Sequence, residues 1–95
     1  MNRIFKNVCV TGAGSGIGRA IAIAMSNEGY NVTCADINLK KANETLEIIL
    51  NNNRSGISIE TDVTKINDIE NMILKTVKEF GTIDILVNNA GVTRT

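Results

Sequence analysis

Four glycines stand at alternate positions, Gly12, Gly14, Gly16 and Gly18, between a β-branched run and a helical pattern. Gly12 permits a sharp turn out of the strand, and Gly14 and Gly16 carry no side chain that would keep a ligand off the backbone. Gly18 allows the first helical turn to pack closely. The N–H groups and dipole at the start of that helix favour an anion such as a pyrophosphate. The stretch therefore predicts a binding site for an adenosine-containing cofactor.

The spacing of these glycines excludes two phosphate-binding motifs, because neither G-x-G-x-x-G nor the P-loop pattern fits it. The pattern G-x-G-x-G, starting at Gly12, resembles the methyl-donor pocket of S-adenosylmethionine-dependent methyltransferases. Such an enzyme would carry an acidic residue two positions before its first glycine, where this chain has Val10. The pattern T-G-x-x-x-G-x-G, starting at Thr11, fits as well. A glycine-rich turn that serves packing alone is the third interpretation.

Asp36 ends a second strand-like run, eighteen residues after Gly18. A carboxylate at this position can accept hydrogen bonds from both hydroxyls of a ribose. At about 4 Å it would repel a 2′-phosphate by roughly 1 to 4 kcal/mol per charge pair. Lys40 and Lys41 lie too far along the chain to neutralise that phosphate, so we predict NAD rather than NADP. The alternative is that Asp36 only caps the following helix.

The elements that would position these residues alternate between strands and helices. Strands are predicted at residues 7–11, 31–36, 56–63 and 83–89, with helix stops at Gly29 and Gly81. Apolar side chains at helical spacing predict three core-facing stripes: Ile17, Ala20, Ile21, Ala24 and Met25; Leu39, Ala42, Leu46, Ile49 and Leu50; Ile66, Ile69, Ile73, Val77 and Phe80. The order βαβαβαβ predicts an α/β fold, with a parallel sheet and helices on both of its faces.

In this order, the motifs resemble those of the short-chain dehydrogenase/reductase family. They are TGAGSGIG at residues 11–18, Asp36 after the second strand, Asp62 and Val63 after the third, and NNAG at residues 88–91. The resemblance runs along the whole chain. It implies a Rossmann-type sheet of strand order 3-2-1-4 and a nicotinamide-dependent oxidoreductase that acts on alcohols or carbonyls.

The resemblance also implies which residues bind the cofactor. Asp62 would hold the adenine amino group with Val63 packed against the base, while Asn89, Ala90 and Gly91 would line the adenosine ribose. The full predicted set is Gly12, Gly14, Ser15, Gly16, Ile17, Gly18, Asp36, Ile37, Asp62, Val63, Asn89, Ala90 and Gly91.

Catalytic residues are not predicted in this chain. In the family the proton relay consists of a serine, a Tyr-x-x-x-Lys pair and a helper asparagine, and the lysine lowers the pKa of the tyrosine. The single tyrosine here, Tyr30, is followed four residues later by Cys34, so we assign it a structural role. We expect residues 1–95 to form a cofactor-binding half-domain, truncated after the fourth strand, and an alcohol or carbonyl substrate would need a C-terminal half.

The fourth strand would then be an uncovered apolar edge, which predicts self-association. A non-catalytic nucleotide-binding or pairing module is the alternative to an oxidoreductase.

The formal net charge of +0 argues against a nucleic-acid partner. No segment reaches the roughly 20 apolar residues of a membrane span, and we expect a cytoplasmic protein. Histidine is absent, and Cys9 and Cys34 lack the spacing of metal ligands, so we predict no metal site and two buried, reduced thiols.

Overall fold

The computed structural model describes residues 6–90, and it confirms the predicted order of strands and helices. The strands are β1 (Asn7–Thr11), β2 (Asn31–Asp36), β3 (Gly56–Glu60) and β4 (Ile85–Asn88). The helices are α1 (Gly16–Asn27), α2 (Leu39–Asn51) and α3 (Ile66–Phe80). Strands β3 and β4 are shorter than predicted. Residues 61–63 already belong to the loop after β3, and Asp84 precedes β4, where its Oδ2 accepts the N–H of Asn7 at 2.9 Å.

The four strands form one parallel sheet in the order β3-β2-β1-β4, which confirms the predicted Rossmann-type order 3-2-1-4. In the register, Val10 of β1 lies beside Cys34 of β2 and Val87 of β4. Because all strands run in the same direction, their carboxyl ends meet at one edge of the sheet. In open sheets of this kind ligands bind at that edge.

Helices cover both faces of the sheet, as predicted. One face carries the larger core, where strand residues pack against α1 and α2: Val8, Val10, Val32 and Cys34 with Ala22, Ala42 and Ile49. On the other face Cys9 and Ala35 pack against Met72 of α3. Alternate side chains of a strand point to opposite faces, so β1 contributes to both cores. Tyr30 packs against the larger core just before β2, which agrees with its predicted structural role.

The predicted core-facing stripe of α1 is wrong in part, because three of its positions are exposed: Ile17, Ala20 and Ala24. The buried row of this helix is Gly18, Ala22 and Ser26, which are small residues four positions apart. Small side chains allow the helix axis to lie close to the sheet, and the larger Ile21 and Met25 pack half-buried against the core beside that row.

The same correction applies to the other two helices. In α2, Ala42 and Ile49 are buried as predicted, whereas Leu39 and Leu50 are exposed. In α3 the buried residues are Met72 and Thr76, and the predicted Ile66, Ile73 and Val77 are exposed. Helices α1 and α3 end close to the glycines that predicted their ends. Gly29 and Gly81 follow them with φ of 100° and 96°.

Candidate cofactor-binding site

An open cleft of about 310 Å³ lies at the carboxyl edge of the sheet. The loops after all four strands contribute to its walls: Gly12, Asp36, Ile37, Thr61, Asp62, Val63, Thr64 and Ala90. Six of these eight residues belong to the set predicted from the sequence. The structure therefore brings together residues that are more than seventy positions apart in the chain.

The glycine-rich loop leaves β1 and turns directly into α1. Gly12 and Gly16 have positive φ values of 66° and 56°, which side chains rarely allow. A Cβ atom on Gly18 would overlap the carbonyl oxygen of Gly12. The close packing predicted for Gly18 is thus packing of the helix against the loop that enters it.

The structure adds a packing reason for glycine at position 14 to the predicted one. It is buried, and a Cβ atom there would stand 2.6 Å from Cβ of Lys41 and 2.8 Å from Oδ2 of Asp36. Its missing side chain therefore lets the loop pack against β2 and α2. Lys41 also comes closer to Asp36 than its place in the sequence indicates.

Asp36 accepts two backbone hydrogen bonds. Oδ2 accepts the N–H of Gly14 at 2.8 Å, and Oδ1 accepts the N–H of Asn38 at 2.9 Å. The capping of α2 itself is done by Asn38, whose side chain accepts the N–H of Lys41. A carboxylate has about four acceptor positions. Asp36 can therefore bind the glycine loop and still accept hydrogen bonds from a ligand.

The start of α1 presents backbone donors to the cleft side of the sheet. The first N–H groups of a helix have no partner within the helix. Ser15 occupies the N-cap position, is exposed and makes no side-chain capping bond. The next residues are also open to solvent, since Gly16 is exposed and Ile17 is 72% exposed. The arrangement leaves a positively polarised helix end accessible to an anion.

Asp62 is held in a tight turn after β3. Its Oδ1 accepts both the hydroxyl of Thr64 at 2.6 Å and the N–H of Thr64 at 3.0 Å. These two hydrogen bonds hold the pKa of Asp62 below its ordinary value. The side chain is therefore a carboxylate at neutral pH, and Val63 lies beside it in the wall of the cleft.

The turn after β4 is held by Thr11, which is not among the site residues predicted from the sequence. Thr11 Oγ1 accepts the N–H of Ala90 at 3.0 Å and lies 3.2 Å from Oδ1 of Asn88. Nδ2 of Asn89 donates to the carbonyl of Gly12 at 3.4 Å. The predicted residue Gly91 lies outside the described residues.

A family model for short chain dehydrogenases matches residues 6–95 of this sequence. The chain belongs to the short-chain dehydrogenase family. Among curated relatives it is 41% identical over 90 residues to the 3-oxoacyl-(acyl-carrier-protein) reductase FabG of Staphylococcus epidermidis, covering 94% of this chain and 37% of that protein. It is 45% identical over 92 residues to an uncharacterised oxidoreductase of Thermotoga maritima, covering 97% of this chain and 36% of that protein.

Solved short-chain dehydrogenase structures show the same fold. A hydroxysteroid dehydrogenase from Escherichia coli superposes with a TM-score of 0.86 at 32% identity, covering 87% of this chain and 35% of that one. A 7α-hydroxysteroid dehydrogenase in complex with NADH and 7-oxo glycochenodeoxycholic acid gives a TM-score of 0.86 at 32% identity, with coverages of 87% and 32%. The chain spans about a third of the length of these relatives.

The two cysteines of the described residues lie in the interior, and their thiols have raised pKa values. Burial raises the pKa of the Cys34 thiol to about 12. Burial also raises the pKa of Cys9, although its interactions with Thr76 and Thr33 act in the opposite direction. Both cysteines are free and buried. Within residues 6–90 no group of three or more metal-ligating side chains occurs, and no helix there is long and apolar enough to cross a membrane.

Proposed function

We propose that this chain binds NAD as part of an oxidoreductase that transfers hydride to or from an alcohol or carbonyl. The observation that carries the proposal is the cleft, which places Asp36, Asp62 and Gly12 around one open volume beside the uncapped start of α1. We assign each of these features to a different portion of a dinucleotide. The bound nicotinamide supplies the hydride chemistry, and the residues below supply binding and orientation.

The adenosine end of NAD fits the carboxyl ends of β2 and β3. We assign Asp36 to the ribose hydroxyls and Ile37 to the neighbouring wall. Both hydrogen bonds from Thr64 use Oδ1 of Asp62, so Oδ2 is the oxygen proposed to accept the adenine amino group. Val63 would pack against the base.

The pyrophosphate is assigned to the start of α1, where the backbone N–H groups of residues 15–18 carry the positive end of the helix dipole. Glycine at positions 12 and 16 keeps this approach clear of side chains, and Ser15 and Ile17 flank it. Asn89 and Ala90, which lie beside Gly12, are assigned to the adenosine ribose, and so is Gly91 by the family resemblance.

NAD is preferred over NADP in this proposal because of the charge of Asp36. A 2′-phosphate on the ribose would come within reach of that carboxylate, and repulsion of roughly 1 to 4 kcal/mol is expected at about 4 Å. The proximity of Lys41 to Gly14 offers partial compensation. We expect the carboxylate to dominate, because it is the group bound directly to the loop.

The oxidoreductase activity of the whole protein is a proposal drawn from the relatives, which include a 3-oxoacyl-(acyl-carrier-protein) reductase and a hydroxysteroid dehydrogenase. None of the 95 residues is assigned to proton transfer, so a small alcohol or carbonyl substrate would need residues outside this sequence. Two free thiols favour a reducing compartment, and we assign the protein to the cytoplasm.

A non-catalytic nucleotide-binding or pairing module is the second candidate, and the edge of the sheet favours it. Strand β4 pairs only with β1 among the described strands, and Leu86 on it is 55% exposed. Exposed apolar residues of α3 lie on the same face of the sheet: Ile66, Ile73, Leu74 and Val77. A second copy of this chain could pair with that edge, since a net charge of +0 gives no overall repulsion between copies.

Calorimetry on the 95-residue chain tests the binding proposal. We expect NAD and ADP-ribose to bind with similar affinity, and S-adenosylmethionine to give no heat of binding. Preferential binding of S-adenosylmethionine would support the methyltransferase interpretation instead, which the family assignment does not favour. With alcohols, this chain should show no change in nicotinamide absorbance under either candidate, because it carries no residue assigned to proton transfer. A coding sequence that continues past Thr95 into a Tyr-x-x-x-Lys motif would support the oxidoreductase over the non-catalytic module.

A further inference from the structure

Arg19 of α1 contacts both the glycine-rich loop and α2. Its Nη2 donates to the carbonyl oxygen of Gly14 at 2.5 Å, and its Nε donates to Oγ1 of Thr45 at 2.9 Å. Nη2 also forms an ion pair with Oε1 of Glu44 at 3.0 Å. The guanidinium is therefore bound to the loop and to α2 at the same time.

Thr45 extends this connection to the preceding peptide. It is fully buried, and its Oγ1 donates to the carbonyl oxygen of Ala13 at 2.7 Å while accepting from Arg19. The N–H of Ala13 donates to the carbonyl of Ala35 at 3.0 Å, and the N–H of Gly14 donates to Asp36. All four backbone polar groups of residues 13 and 14 thus have partners outside the loop.

The orientation of the next N–H group follows from peptide geometry. The C=O and N–H of a trans peptide point in opposite directions, and no described peptide bond is cis. Because the carbonyl of Gly14 points to Arg19, the N–H of Ser15 must point away from Arg19 and α2. Ser15 is the exposed N-cap of α1, so this N–H joins the free donors at the start of that helix.

We propose that Arg19 and Thr45 are positioning residues, which aim the Ser15 N–H and the start of α1 at the pyrophosphate of the cofactor. The proposal rests on the proposed function. Arg19 acts through the Gly14 carbonyl and is not itself a ligand of the anion, because its Nε and Nη2 groups are bound to Thr45, Gly14 and Glu44 and the Glu44 carboxylate offsets its charge.

The test compares ligands that do and do not reach the pyrophosphate position. Arg19→Met should weaken binding of ADP-ribose by about tenfold, the loss expected for one charge-assisted hydrogen bond, and leave the affinity for adenosine within about twofold. Arg54→Met is the matched control, since Arg54 donates to the Asn27 carbonyl in an exposed contact away from the cleft. It should change neither affinity. An equal loss for ADP-ribose and adenosine in Arg19→Met would show a general structural role and overturn the proposal.

Conservative variants keep the test independent of folding defects. Arg19→Lys retains one donor for the Gly14 carbonyl but not the planar fork, so its affinity for ADP-ribose should lie between those of wild type and Arg19→Met. Thr45→Ser should bind like wild type, and Thr45→Val should lose affinity for ADP-ribose. If Thr45→Val bound ADP-ribose as tightly as Thr45→Ser, the positioning role proposed for Thr45 would be wrong.

Amide hydrogen exchange separates this inference from the proposed function. Without any ligand, Arg19→Lys should speed exchange of the Gly14 amide while amides of β1 and β2 keep their wild-type rates. If the wild-type chain bound neither ADP-ribose nor adenosine, the proposed function would fail, and unchanged exchange at Gly14 would separately show that Arg19 does not hold the loop.

Discussion

The carboxylate of Asp36 accepts the backbone N–H of Gly14 at 2.8 Å, which joins the end of β2 to the glycine-rich loop after β1. The two residues come from separate motifs, twenty-two positions apart in the chain. This contact ties the loop to the carboxylate that we propose binds the ribose. A change at Asp36 is therefore expected to affect both cofactor choice and loop order.

Substitution of Asp36 by asparagine tests cofactor choice. Asp36→Asn removes the negative charge but keeps a side-chain oxygen that can accept the Gly14 N–H. Removing repulsion of roughly 1 to 4 kcal/mol should raise the affinity for NADP by about tenfold or more, and the affinity for NAD should fall modestly. The measurement is calorimetric titration with both cofactors.

Glu60 provides the matched control for this change. It is paired with Asp36 in the register of β2 and β3, is exposed, and does not line the cleft. Glu60→Gln removes the same charge and should leave the ratio of the two affinities nearly unchanged. A similar gain in NADP affinity for both variants would show that the preference for NAD over NADP comes from overall charge and not from Asp36.

Substitution of Gly18 by alanine should destabilise the protein, although alanine is normally the better helix former by about 1 kcal/mol. The added methyl group would overlap the carbonyl oxygen of Gly12, and overpacking of this kind costs about 1 to 3 kcal/mol. Urea denaturation followed by circular dichroism measures the change. Ala20→Gly, at an exposed position of the same helix, is the control for propensity and should cost about 1 kcal/mol. A stabilised Gly18→Ala variant would contradict the close contact.

The sequence predicted the fold well because strand and helix patterns differ strongly in period, and because Asp36 and Asp62 follow strands whose ends must meet. The buried row of α1 was not predictable from hydrophobicity, since close packing selected Gly18, Ala22 and Ser26 over larger apolar residues. The hydrogen-bond partners of Arg19 come together only when α1 packs beside α2. No local sequence motif could therefore predict them.

The two buried thiols predict a loss of stability at alkaline pH. Burial raises the pKa of Cys34 to about 12, above the ordinary thiol value of about 8.5 in an unfolded chain. A raised pKa contributes stability that is fully present below the unfolded value and is lost as pH rises toward the folded value. The free energy of unfolding should therefore fall from about pH 9 upward.

Denaturation at several pH values measures how steeply the free energy of unfolding falls, and Cys34→Ala should reduce this slope.

At neutral pH neither Cys9 nor Cys34 should react with a thiol reagent unless the protein is unfolded, because both are buried and protonated. Rapid labelling of the folded chain would show that one of the two thiols is more accessible than the structure indicates.

The edge strand β4 predicts self-association of the 95-residue chain. Its outer edge has no strand partner within residues 6–90, and Leu86 and the exposed α3 residues extend an apolar surface beside it. Unprotected edges of this kind pair with other chains. Leu86→Glu places a charge on this surface and should shift the mass measured by light scattering toward the monomer across a dilution series. Leu50→Glu makes the same change at an exposed leucine of α2, beside the opposite edge of the sheet, and should leave the mass unchanged. A wild-type chain that is monomeric at every concentration would count against pairing through β4, because the surface would then be stable in water without a partner.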